Sequence, residues 1–218
     1  MFDLIKHLNE NNIEHTVSDL GNITVTGNLD LRHVNGVDAL PDNLTVVGAL
    51  DLRYSGITNL PDNLTVDGPL NLSETSITAL PGNLTFSSLS MSCTSIATLP
   101  DNLTVGSFFN LRGSLNLSHS GITNLPDNLT LGGSLNLRGT SIANLPDNLT
   151  LGGSLNLRDT SITALPDNLT VVSSLDLRDT SITNLPDNLT VGDVVFLSSS
   201  STITIPDNFS GATVFIDA

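Results

Sequence analysis

The chain has 218 residues, of which 39% are hydrophobic but only 4% aromatic, with no tryptophan. That apolar content excludes a disordered polymer, and it predicts a thin aliphatic core rather than the thick core of a large globular enzyme. Twenty-two acids against seven bases give a formal charge of −15, which argues against broad attraction to DNA, RNA or an anionic membrane and leaves a basic partner open.

The first predicted element is a short amphipathic helix. Phe2, Ile5 and Leu8 fall at helical spacing with Leu4 beside them, so a helix over residues 2–11 is expected to cover the open end of the core that follows. This N-terminus lacks the apolar run of a signal peptide, and no stretch approaches the ~18 apolar residues needed to cross a bilayer. Ile23-Thr24-Val25 reads as the first strand. From residue 40 onward one motif recurs, marked by Leu-Pro at Pro41, Pro61, Pro81, Pro100, Pro126, Pro146, Pro166 and Pro186 and by Ile205-Pro206. The steps between these prolines are 20, 20, 19, 26, 20, 20, 20 and 20 residues. The long step holds six extra residues around Phe108-Phe109-Asn110-Leu111-Arg112-Gly113, which read like a partial copy of the strand motif.

The cleanest unit, residues 145–164, carries the logic of the coil. Leu155-Asn156-Leu157 alternates with period two, as a short strand with one buried face does. Pro146 cannot donate to a sheet and marks the return leg. Asp147-Asn148 suits a turn. Leu149-Thr150-Leu151 reads as a second short strand or an extended leg, and Gly152-Gly153 permits a sharp corner. Ile162 and Leu165 supply further inward anchors. No single coil can bury its own aliphatics, so the repeat requires stacking. At the end of the chain Val214-Phe215-Ile216 reads as a last strand, and its open edge is a candidate for pairing with a second copy or a partner.

This pattern resembles the leucine-rich-repeat family, with its L-x-x-L-x-L-x-x-N-x-L signature in units of 20–29 residues, and most of all its short, proline-containing bacterial class. The expected fold is an all-β-rich solenoid of about nine to ten coils, with residues 1–20 as a helical cap and 21–218 as one continuous solenoid. One departure stands out. The position at which the family carries a buried Asn holds Ser55, Thr75, Thr94, Ser120, Thr140, Thr160 and Thr180. A hydroxyl can bond the backbone at that bend, with fewer hydrogen bonds than an amide makes. The resemblance implies that the strand face is the recognition surface, that the partner is a protein, and that the chain comes from a bacterium or a phage and works in the bacterial cytoplasm.

Several residues are candidates for that surface. Six of the seven bases are arginines, and Arg32, Arg53, Arg112, Arg138, Arg158 and Arg178 each follow the second apolar residue of an L-x-L-like triplet. They are expected to form a column on the strand face, about 5 Å apart where coils are consecutive. Such a column either grips a carboxylate or phosphate of a small anionic ligand or is neutralised by acids such as Asp159, Asp176 and Asp179. Asn136, Asn156, Ser134, Ser154 and Ser174 share the face, and Tyr54, Phe108, Phe109 and Phe196 are its candidate aromatic anchors.

Chemistry is sparse. There is one cysteine, Cys93, so no disulfide within the chain and no Cys/His zinc spacing, and neither a cofactor nor a metal is expected. Cys93 and His119 fall at equivalent positions of neighbouring coils, the one conceivable reactive pair. No phosphate-binding loop, H-E-x-x-H or G-x-S-x-G motif is present. The repeated Asn-Leu-Thr triplet, which formally matches a glycosylation acceptor, reads as coil chemistry. Its threonines form one regular row, the basis of a further alternative as an ice-binding or self-assembling structural solenoid. The expectation is a non-catalytic protein-interaction module.

Overall fold

A Leu-x-Leu triplet can bury only one side, and stacking twenty-residue coils is what gives that side a partner. The computed structural model describes residues 2–103, 105, 113–127, 129–200, 202–206, 209 and 212–217, and shows this stacking. Among the described residues, ten short strands from Leu29–Asp30 to Thr213–Asp217 form one parallel sheet. Its register runs Leu29, Leu50, Leu70, Leu89, Leu115, Leu135, Leu155, Leu175, Val195 and Val214. The long coil therefore enters the sheet at Leu115-Asn116, and its six extra residues fall before that strand. Phe108, Phe109 and Arg112 lie outside the described residues.

Each regular coil has a second strand. The Leu-Thr-Val legs pair in parallel from Ile23–Val25 through Leu44–Val46 to Thr65–Val66, and again from Thr130–Leu131 to Thr190–Val191. The inward residues of both sheets meet in one continuous aliphatic core. In the unit 145–164, Leu145, Leu149, Leu151, Leu155, Leu157 and Ile162 are all buried, as is Leu165 at the start of the next. The return leg begins with a turn in which a proline carbonyl accepts from the leucine three residues on, as from Leu149 N–H to Pro146 at 3.2 Å. At the corner before the main strand, backbones stack so closely that a Cβ on Gly68 would lie 2.6 Å from the Gly48 carbonyl, which explains a glycine there.

The N-terminal cap is a helix over Leu4–Glu10, its first turn capped by the Asp3 carboxylate accepting from Lys6 N–H at 3.0 Å. Leu4 and Leu8 face inward, whereas Ile5, expected on the buried stripe, is 39% exposed. The residues after the helix add a feature that periodicity did not show: His15–Val17 pairs antiparallel with Ile23–Val25. At the other end, Val195 and Leu197 are buried, while the equivalent Ile216 is 59% exposed, because no described coil covers it.

Candidate functional site

The outward residue of each main-strand triplet stands beside its counterpart in the next coil. The series is Asp30, Asp51, Asn71, Ser90, Asn116, Asn136, Asn156, Asp176, Phe196 and Phe215. Most of these side chains first serve the fold. The Oδ1 atom accepts the backbone N–H two residues on, at 3.0–3.2 Å, from Arg32, Arg53, Ser73, Ser118, Arg138, Arg158 and Arg178. This Asx turn ends the strand and explains the preference for Asp or Asn at that position. Asn136 and Asn156, expected as adaptable binding groups, therefore each spend one acceptor on their own coil. Ser134, Ser154 and Ser174, expected in the same role, belong to an inter-coil ladder: Ser88, Ser114, Ser134 and Ser154 Oγ accept from the backbone N–H of Ser114, Ser134, Ser154 and Ser174.

The chain then bends through a residue in the left-handed region. His33, Tyr54, Glu74, Cys93, His119, Asp159 and Asp179 have φ of 56–59°, with Gly139 at 66° in the same place. This column was missed by sequence reasoning, although a glycine at 139 among Asp and His residues was its signal. Tyr54, expected as an anchor, belongs to it; the ring is 52% exposed and stacks on His33 with centroids 4.6 Å apart. The one conceivable reactive pair does not assemble. Cys93 has the Glu74 carboxylate of the coil before as its neighbouring charge, while a Cβ on Gly139 would run into the ring of His119, which leans toward the coil after. Although Cys93 is exposed, partial desolvation of its thiol, and then the Glu74 carboxylate, push the thiol up and so favour the less nucleophilic protonated form.

Next comes the hydroxyl ladder at the bend. Thr75, Thr94, Thr140, Thr160 and Thr180 each donate to the carbonyl three residues earlier, at 2.6–2.9 Å. They take over the bend bonding expected of a buried Asn. The two serines do not: Ser55 and Ser120 Oγ are buried without a partner. Threonine's β-branch restricts χ1 and aims the hydroxyl, which serine lacks. The repeat, the two-strand coil, the outward polar row and the bonded bend together decide the architecture. The chain is a parallel β-solenoid of leucine-rich coils. No family model matches its sequence and no curated protein does. Among solved structures it is similar to an LRR protein of Leptospira interrogans, with a TM-score of 0.39 and 17% identity over 76% of this chain and 57% of that one. It is also similar to YopM from Yersinia enterocolitica WA-314, with a TM-score of 0.25 and 16% identity over 82% of this chain and 63% of that one. The solenoid thus spans less than two thirds of the length of either.

The arginine column divides by its partners. Arg32 and Arg53 hold the aspartates two residues before them, with closest contacts of 2.6 and 2.7 Å, and Arg32 also reaches Asp51 at 3.5 Å. The Arg32 hydrogen bond holds the Asp30 carboxyl below its usual range. Arg178 grips Asp176 through two nitrogens, reaches Asp217 at 2.9 Å and lies 5.3 Å from the centroid of Phe196, which meets Phe215 edge-on. Arg158 takes Asp179 of the next coil at 3.1 Å. Asp176 and Asp179 thus neutralise as expected, whereas Asp159 forms no ion pair among the described residues. Arg138 is exposed, and among the described residues its guanidinium has no carboxylate. The outward residues beside it are Asn136 and Asn156, where the paired Arg53 and Arg178 have Asp51 and Asp176.

In the coils between, the column holds Ser73, Ser92 and Ser118. Here the face sinks into a groove of about 350 Å³ lined by Asn71, Ser88, Ser90, Ser114, Asn116 and Asn136 among others. A larger recess of about 640 Å³ lies between the cap helix and the leg at Leu40-Pro41. Among the described residues no group of three His, Cys, Asp or Glu could hold a metal, and no helix is long and apolar enough to cross a membrane.

Proposed function

We propose that this solenoid is a non-catalytic interaction module that takes a partner protein on the outward face of its ten-stranded sheet. The observation behind the reading is the continuity of that face. Its described outward residues keep register across the 26-residue coil, from Asn71 and Ser90 to Asn116 and Asn136. The reading extends to a bacterial or phage protein with a host protein as partner in the bacterial cytoplasm; its support is the near-identity of neighbouring coils, as between 125–144 and 145–164. Association of two copies along the Thr213–Asp217 edge, where Ile216 is exposed, belongs to the same reading. Storage of a small anion by the whole arginine column is disfavoured, because Arg32, Arg53, Arg158 and Arg178 already hold carboxylates.

The test is capture from bacterial lysate with three forms of the full chain. Ser90→Phe fills the centre of the face, with a residue that the coil accepts at the equivalent Phe196. Thr150→Phe makes the same change on the other sheet. A protein retained by wild type and Thr150→Phe but lost from Ser90→Phe is the expected result. Equal retention by all three contradicts a strand-face site.

A further inference from the structure

Resting on that reading, we infer that the central groove binds an extended segment of the partner and that Arg138 takes a carboxylate carried by that segment. Arg138 differs from every other described arginine. A guanidinium fork matches a carboxylate through two parallel bonds, and among the described residues none is supplied here. Its own coil and the next present Asn136 and Asn156 instead of aspartates, and Asp159 of the next coil, placed relative to Arg138 as Asp179 is to Arg158, forms no ion pair among the described residues. In a chain of charge −15, Arg138, two residues beyond the groove-lining Asn136 and without a carboxylate among the described residues, is a local point of complementarity for one negative group.

The groove gives the rest of the occupant's chemistry. From Asn71 through Ser90 and Asn116 to Asn136 it crosses three steps of the sheet, about 14 Å at ~4.8 Å per step, the span of four or five extended residues. Most of its lining surface is apolar, and the amides of Asn71, Asn116 and Asn136 keep donors beyond the bonds they make within the coils, which suit the carbonyls of an extended backbone. No arginine or aspartate stands on the floor, so the segment around the carboxylate is uncharged. A strongly acidic segment is repelled by the net charge of the chain.

The experiment uses the full chain and three pools of fluorescein-labelled, end-blocked hexapeptides, randomised over uncharged residues and fixed with one Glu, Gln or Lys. Fluorescence anisotropy reads binding to wild type, Arg138→Gln, Arg158→Gln and Ser90→Phe, with free glutamate and inorganic phosphate as competitors. The Glu pool is expected to bind about ten-fold or more tighter than the Gln pool, as a charge-assisted bidentate contact does. Arg138→Gln removes that preference, Arg158→Gln leaves it, and Ser90→Phe abolishes binding of both pools. Equal binding of the Glu and Gln pools, with both lost in Ser90→Phe, overturns the carboxylate contact and leaves the strand-face reading standing. No binding by any pool, or binding indifferent to Ser90→Phe, overturns the groove as the site of an extended segment, while the strand-face reading stands or falls on the lysate capture. Competition by free glutamate or phosphate as effective as by the peptides overturns the extended segment in favour of a small-anion site.

Discussion

The flanks and the centre of the strand face are built on the same coil and end in different surfaces. At the flanks, Asp30-Leu31-Arg32, Asp51-Leu52-Arg53 and Asp176-Leu177-Arg178 close on themselves, each acid serving both the backbone N–H and the guanidinium of the arginine. In the centre, Asn71-Leu72-Ser73 and Asn116-Leu117-Ser118 keep the backbone bond and drop the ion pair. An Asp at the outward position thus holds the arginine two residues later within its own coil, whereas with Asn there Arg158 is held by Asp179 of the next coil and Arg138, among the described residues, by no carboxylate. Arg138 sits at the border, with an arginine of flank type on a triplet of central type.

The largest expected contrast comes from deleting a flank arginine. Arg178→Ala leaves Asp176, whose side chain is 13% exposed, without its cation and removes the contact with Phe196. Its expected cost is about 2 kcal/mol, between the values for surface and buried pairs. Arg138→Ala should stay within ~0.5 kcal/mol. Denaturant midpoints compare the two, and equal costs would break the division between flank and border. Next come the Asx turns, which both regions share. Asn156→Ala and Asn116→Ala should each lose about 1 kcal/mol, and a loss confined to one region would show that the turn is not common to them. The buried hydroxyls give a gain of similar size. Ser120→Thr lets the bend hydroxyl reach the carbonyl three residues back, as Thr140 does, and should stabilise by about 1 kcal/mol, with Thr140→Ser losing as much; a thermal midpoint that fails to rise for the first and to fall for the second would remove that account.

The smallest effect is a pH dependence. The Asp30 carboxyl lies below its ordinary value because of Arg32, so the unfolded chain binds the proton more readily. The stability this contributes is present above the ordinary carboxylate range and is lost as pH falls through the lowered folded value. Both partners are exposed, so the loss is small and screened by salt. Asp30→Asn should flatten the acid limb of the stability profile slightly, and no change at low salt would show the pair to be energetically silent.

How much of this was legible in the sequence follows from what repeats. The buried Leu, Ile and Val residues recur at fixed spacing, so the coil, its core and the bonded Thr at the bend could be read from Leu145 to Leu165 alone. The register of the long coil could not, because Leu111 and Leu115 both follow the strand pattern; pairing with Leu89 and Leu135 selects Leu115. Arginine partners were out of reach for a related reason. Arg178 bonds within its own coil, whereas Arg158 bonds Asp179, 21 residues on, and only geometry orders those options. The left-handed column was hidden because only Gly139 there announces a positive φ, while Tyr54, Glu74 and Cys93 adopt it without the sequence signal.

The central claim is that Arg138 is available while its column neighbours are held. Proton exchange at the arginine Nε–H groups, followed by nitrogen-edited NMR on the full chain, tests it directly. The Nε–H groups of Arg32, Arg53, Arg158 and Arg178 donate to carboxylates and should exchange slowly, while Arg138 exchanges at the rate of an unstructured arginine peptide. Exchange at Arg138 as slow as at Arg178 would contradict the account, because it would mean that this guanidinium is already bound within the protein.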